Sequence, residues 1–302
     1  MKTAIIVLNY NDSDNTINFV NSVLEYNLLD KIIVVDNLST KENEFDKLKK
    51  LENIKVEVIR ANKNGGYAYG NNFGLKYLDE KYSNEYDYVI ISNPDVSVDE
   101  ESIKIVIDEM KKNKNIAIAS PRMYFTSGPA RRAAWKKRTF SIDVANSTRL
   151  MQLILFPLFK KGEYSKKEYS NDVLDVQNIA GSFFIANHEI FKSIGYFDEN
   201  TFLFYEEDII GFKLKDKGYK IQIFNKLHFM HYESKSIGKV MNLFKKNDIL
   251  FDSRIYYHKK YNNIGKIGIA VFQVLRICRK IELLFEIPIR KISNKIIKKV
   301  GV

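Results

Sequence analysis

Four short, almost continuous apolar runs dominate the first third of the chain: Thr3–Leu8, Lys31–Val35, Lys55–Ile59 and Tyr86–Ile91. Each is rich in β-branched residues and too short to be a buried helix. They recur every ~25–30 residues with helix-like segments between them, the pattern of a doubly wound parallel sheet. Continuous rather than alternating apolarity predicts strands buried on both faces. Three of the four runs stop at polar residues: Asn9-Tyr10-Asn11-Asp12, Asp36-Asn37-Leu38-Ser39, and Asn93-Pro94-Asp95. Pro94 has no N–H for the ladder, so it ends the fourth strand and presents Asp95 just beyond. Ligands of open α/β sheets bind at this carboxyl edge. A carboxylate there can hold a hard divalent cation, which can in turn hold a diphosphate.

The intervening segments carry further signals. Asp12, Ser13 or Asp14 caps a helix with Ile17, Phe19, Val20, Val23 and Leu24 on its apolar side, and a Lys- and Glu-rich helix is expected at about 41–52. Asn62–Gly74 holds paired glycines, Gly65 and Gly66, suited to left-handed backbone or close approach of a ligand. It is not a dinucleotide fingerprint, which would follow the first strand. A capped helix from Asp99 to Lys112 and a strand at Ile116–Ser120 come next. Gly128–Arg138 is basic and carries the only tryptophan; it reads as a solvated loop or as an acceptor-side loop that meets phosphate, with Trp135 stacking on a sugar. Asp175–Asn187 reads as one strand with Gly181-Ser182 inside it. Glu206-Glu207-Asp208 opens a helix that runs to Gly218. Acids in a first turn serve as dipole partners, and a general base is equally well placed there. A strand at Lys220–Phe224 precedes His228 and His231, with Ser234, Lys235 and Ser236 close by; this grouping suits contact with metal or phosphate.

The formal charge of +11 calls for an anionic partner: nucleic acid, a membrane surface or a phosphorylated substrate. A nucleic-acid binder would gather its cations and aromatics on one platform. Here acids occupy the strand tips and the cations concentrate in one loop and the tail, so nucleic acid is not the expected partner. A nucleotidyltransferase would want a Gly-rich basic loop after the first strand, and Asn9–Asp12 is not one. The tail from Ile264 is basic and amphipathic, with Ile267, Val271, Val274, Leu275, Ile281, Leu284, Phe285 and Ile289 on its apolar face. That pattern suits an anionic membrane interface, and packing on the core or in a homodimer is the competing use. Two domains are expected, 1–236 and a helical extension at 237–302. The single cysteine, Cys278, excludes an internal disulfide and fits a reducing compartment. With neither a signal-peptide pattern nor an apolar run of ~20 residues, a cytoplasmic protein resting on the inner face of the cell membrane is expected.

In order, Asn9-Tyr10-Asn11, Val34-Val35-Asp36-Asn37-Leu38-Ser39, Asn64-Gly65-Gly66-Tyr67-Ala68 through Asn71-Asn72, Asn93–Val96, Gly181–Phe184 and Glu206–Asp208 resemble family 2 inverting glycosyltransferases of GT-A fold. The likeness is to the rhamnosyltransferase-like branch that builds bacterial surface polysaccharides, and it covers residues 3–236. It implies an α/β fold with a mostly parallel sheet, here followed by the amphipathic helices. By this resemblance Asp36 would accept from N3–H of a pyrimidine, with Asn9 and Tyr10 lining the nucleoside pocket. Asn64, Gly65 and Asn72 would lie along the donor. Asp95 would bind Mg²⁺ or Mn²⁺ in an Asp-x-Asp motif whose first position is Asn93, and His231 would approach the metal or diphosphate. A literal reading of the family's Glu-Asp selects Asp208 as base and counting back from Gly218 selects Glu207; Asp208 is the preferred reading. The implied donor is dTDP-rhamnose, with a UDP-sugar second, and the implied acceptor is a lipid-linked saccharide.

Overall fold

The computed structural model describes residues 1–83, 85–232 and 242–300, with the side chains of Phe159 and residues 289–300 left aside. The chain forms two compact units, residues 1–137 with 163–237, and residues 138–162 with 238–302.

In the first unit the apolar runs become β1 (Thr3–Asn9), β2 (Lys31–Asp36), β3 (Val56–Arg60) and β4 (Tyr88–Ser92). Helices α1 (Ser13–Val23), α2 (Glu44–Lys49) and α3 (Gly66–Tyr82) connect them. Beyond β4 come β5 (Val96–Ser97), α4 (Glu100–Lys112), β6 (Ile116–Phe125), β7 (Gly128–Pro129) and β8 (Ala134–Trp135). The main sheet runs β3-β2-β1-β4 in parallel. Its central strands explain their uniform apolarity: Ile5, Ile6, Ile33, Val34, Ile90 and Ile91 have no exposed surface on either face.

The span Asp175–Asn187, expected as one strand, is three. β9 (Val173–Val176) and β10 (Asn178–Ile179) are divided at Gln177, and a turn at Gly181-Ser182 separates β10 from β11 (Phe183–Asn187). The glycine breaks the strand because its backbone is bonded on both sides by side chains from other elements, as described below. β11 inserts antiparallel between β4 and β6. α8 (His188–Ser193), α9 (Glu206–Asp216) and β12 (Lys220–His231) complete the unit, with β12 parallel to β6 and antiparallel to β5 and β9. The strand expected at Lys220–Phe224 thus continues through an irregularity to His231.

The second unit holds α5 (Phe140–Ala145), α6 (Arg149–Ile154), α7 (Phe156–Lys161), α10 (Leu243–Tyr261) and α11 (Lys266–Val300). Phe251, Phe272 and Leu275 form its apolar centre, with Phe140, Val144 and Met151 packed against them. Beside it lies a buried ionic cluster. Asp143 accepts from Arg138 (3.2 Å) and faces His258 Nε2 (2.8 Å), while Arg254 donates to Ser147 (2.7 Å). Among the described residues no helix is long and apolar enough to cross a membrane.

Candidate active site

Strand register brings three of the polar tips together. Asn9 lies opposite Asp36, and Val7 lies opposite Ser92, so the ends of β2, β1 and β4 stand side by side at the carboxyl edge. Asp36 is 0% exposed. Its carboxylate accepts from Asn9 Nδ2 (3.0 Å) and from the Ser39 amide (3.2 and 3.3 Å), and Arg60 Nε approaches to 3.3 Å. Asn9 also donates to Ser39 Oγ (3.1 Å) and accepts from Thr16 (2.9 Å), so its amide orients Asp36. Tyr10 is half-buried next along the chain. Arg60 was not singled out from sequence; the signal was its place as last residue of β3, in register with Asp36.

Asn64 sits behind this corner, where its Oδ1 accepts from Asn37 Nδ2 and from the Gly66 amide, both at 3.2 Å. Gly65 precedes the first turn of α3, and Gly66 has φ +89°. A Cβ at Gly66 would lie 1.9 Å from the Phe202 carbonyl oxygen, which also accepts from the Tyr67 amide (3.0 Å). This close approach explains the paired glycines through packing of two protein segments. Asn72 is occupied as well: it donates to Phe197 O (3.0 Å) and Glu199 (2.9 Å) and accepts from Phe197 N (3.1 Å). Its geometry is that of a clamp on the turn after α8.

At the β4 tip the Asn93 amide donates to Ser182 O (2.8 Å), which joins β4 to the start of β11. Two residues on, Asp95 Oδ1 lies 3.3 Å from His231 Nε2, and β12 holds this pair because His231 is in register with Val96. A cavity of about 410 Å³ opens beside Asp95, bounded by Pro94, Asn15, Asn18 and Tyr232. His231 Nδ1 is buried with no hydrogen-bond partner among the described residues. Among the described residues no group of three His, Cys, Asp or Glu side chains is placed to hold a metal ion. A carboxylate and an imidazole side by side fit a cation that takes its remaining ligands from phosphate and water, as Mg²⁺ commonly does. Ser234, Lys235 and Ser236 lie outside the described residues.

The acidic helix reaches the same edge through the Gly181 peptide. Its N–H donates to Glu207 Oε1 (3.1 Å), and its carbonyl accepts from Tyr67 OH (2.5 Å). Burial, then the charges of Glu207 and Glu206, hold the Tyr67 phenol well above its ordinary range, so it remains a donor. The residues before α9, Phe204 and Tyr205, both have left-handed backbone, φ 75° and 71°. Each costs ~1–2 kcal/mol for a residue with a side chain, and such strain gathers at functional sites. In the helix that follows, at 3.6 residues per turn, three consecutive carboxylates point in different directions. Glu206 is 2% exposed, and burial followed by the Glu207 charge raises its carboxyl well above the usual range. Asp208 is 3% exposed and accepts at Oδ1 from Trp135 Nε1 (2.7 Å) and Asn178 Nδ2 (3.2 Å). Glu207 alone of the three is partly open to solvent.

Trp135 therefore uses its indole N–H on Asp208. The surrounding cations are tied down too, Arg131 and Arg132 to Glu163 and Lys136 to Glu168. Neither Trp135 nor Asn178 could be assigned to Asp208 from sequence, because β8 and β10 are two-residue strands set by tertiary contacts.

Residues 4–195 match the sequence pattern of Glycosyl transferase family 2. The chain belongs to that family and has the GT-A fold. It is 26% identical over 209 residues to the low-salt glycan biosynthesis hexosyltransferase Agl10 of Haloferax volcanii, an alignment covering 68% of this chain and 58% of that protein. The chain thus spans less than two thirds of this curated relative. Among solved structures it resembles GalNAc-T7 with UDP, GalNAc and Mn2+ (TM-score 0.62, 16% identity, 87% of this chain and 49% of that one). It also resembles S. aureus TarS 1-349 in complex with UDP-GlcNAc (TM-score 0.53, 15% identity, 92% and 73%). At these identities the likeness is one of fold.

Proposed function

We propose that this chain transfers a hexose from a nucleoside-diphosphate sugar to an acceptor hydroxyl, with inversion, and that Glu207 is the base. The carrying observation is the Gly181 peptide, which holds the one partly open carboxylate of the cluster against the carboxyl edge shared by Asp36 and Asp95. The acceptor oxygen attacks the anomeric carbon as its proton passes to Glu207, and the bond to the diphosphate breaks on the opposite face. Asp208, with two donors on one oxygen, serves instead to fix the first turn of α9.

Asp36 takes the nucleobase, and Tyr10 lines that pocket. Asn9, Asn64, Gly65, Asn72 and Asn93 shape the walls. Asp95 and His231 would hold Mg²⁺ or Mn²⁺, which would neutralise the departing diphosphate. The donor is dTDP-rhamnose, with a UDP-sugar as second reading because relatives of this fold were solved with UDP and UDP-GlcNAc. The acceptor is a lipid-linked saccharide at the inner face of the cell membrane. Hydrolysis of a panel of nucleotide sugars, each with and without Mn²⁺, tests this reading. Release of one nucleoside diphosphate above background supports it, and no release from any donor under either condition rejects it.

A further inference from the structure

The second unit is built with its oily side outward. On α11 the exposed positions from 267 to 288 are Ile267, Ala270, Gln273, Val274, Ile277, Cys278, Ile281, Leu284, Phe285 and Pro288, of which Gln273 alone is polar. Six large apolar side chains among them, Ile267, Val274, Ile277, Ile281, Leu284 and Phe285, are each 50% to 84% exposed. At 3.6 residues per turn they fall within about a third of the circumference, along roughly 27 Å of helix. Between 267 and 288 the charged residues are on the other side: Arg276 pairs with Asp252, Lys280 with Asp248, and Arg279 with Glu282 and Glu286. A solvated surface helix would have the opposite arrangement.

The apolar surface extends beyond this helix. Glu282 accepts from the amides of Arg149 and Leu150 (3.0 and 3.1 Å), which fixes the start of α6 beside α11. That segment adds Leu150, Leu153, Ile154 and Phe156, all more than half exposed. Ten of the sixteen large exposed apolar residues among those described therefore lie in this unit. Its sequence also carries 19 Lys and Arg against 5 Asp and Glu, a formal +14 that leaves the rest of the chain at −3 within the total of +11.

We infer that the second unit is a membrane-docking module that lays α11 and the α6–α7 segment together into the interface of an anionic bilayer. Breadth favours a lipid surface over a second copy of the chain. A two-helix seam would need a narrow stripe flanked by complementary charges, whereas here two segments contribute and the net charge is strongly of one sign. The excess of cations matches an anionic leaflet and makes docking salt-dependent. The inference stands apart from the transfer chemistry proposed above and can fail without it.

The test is sedimentation of the full chain with phosphatidylcholine vesicles, with and without 30% phosphatidylglycerol, alongside light scattering in solution. Expected is binding to the anionic vesicles that weakens with added salt. It should fall at least tenfold in I281E/F285E and severalfold in L153E, while nucleotide-sugar hydrolysis in detergent-free buffer is unchanged. Binding that neither variant alters overturns the inference. So does a stable dimer that I281E/F285E dissolves in the absence of any vesicle binding.

Discussion

Replacing Glu207 with glutamine separates base chemistry from architecture. The Gly181 amide donates to Glu207 Oε1 at 3.1 Å, and a glutamine carbonyl at that position can accept the same bond. Fold and donor affinity should therefore persist. What is lost is a group that can take the acceptor's proton, worth typically 10²–10⁴-fold in rate, or about 3–5 kcal/mol of transition-state stabilisation. Asp208→Asn is the control, since its carbonyl can still accept from Trp135 and Asn178; less than a tenfold loss is expected. Both variants are to be assayed for transfer turnover, with donor binding measured by calorimetry. If Glu207→Gln keeps a tenth or more of wild-type turnover while Asp208→Asn is inactive, the proton goes to Asp208 and the argument from exposure is refuted.

Other perturbations reach the scaffold. Asp143→Asn strips a buried cluster of the carboxylate that faces Arg138, Arg254 and His258; a loss of about 3–5 kcal/mol in urea unfolding is expected, and a loss under about 1 kcal/mol would show that the cluster is solvated. Gly66→Ala places a methyl against the Phe202 carbonyl and should cost more than about 3 kcal/mol. Gly195→Ala, at φ +74° but in open space, should cost about 1 kcal/mol, and equal melting temperatures would refute the difference. Burial alone would raise Glu57, yet hydrogen bonds from Tyr77, Tyr82, Lys81 and Lys31 outweigh it and bring its carboxyl from 4.5 down to about 2. Its stabilisation is complete above about pH 4.5 and fades as pH falls toward 2, so Glu57→Gln should flatten the acid limb of a stability profile there, and an unchanged limb would assign it to other carboxylates.

The parallel half of the fold was legible because burial on both faces leaves no polar residue inside β1, β2 or β4, and β1 to β4 lie within two residues of their apolar runs. The carboxyl edge was legible for the same reason, since polarity returns where the ladder ends. What sequence could not show was how the polar atoms are spent. Asn72 and Asn64 read as donor contacts in the sequence, and the structure adds that both amides are also bonded within the chain, because an amide side chain suits a loop carbonyl as well as a sugar. The strand expected at Asp175–Asn187 was misread because Gly181 is shaped by Tyr67 and Glu207, residues distant in the chain. In the tail, periodicity gave an apolar and a basic face without saying which turns inward. Phe272 and Leu275 do so together with the ion pairs, and the rest of the apolar face is left exposed.

On the proposed mechanism, the doubly bonded peptide at Gly181 makes a stretch with no reactive group part of the catalytic apparatus. Its amide orients the proposed proton acceptor while its carbonyl is gripped by a phenol from α3, so any change in the length of the turn would re-aim Glu207. A loop graft between relatives that carried over residues 177–182 without Tyr67 would disable such a chimera although every carboxylate was retained.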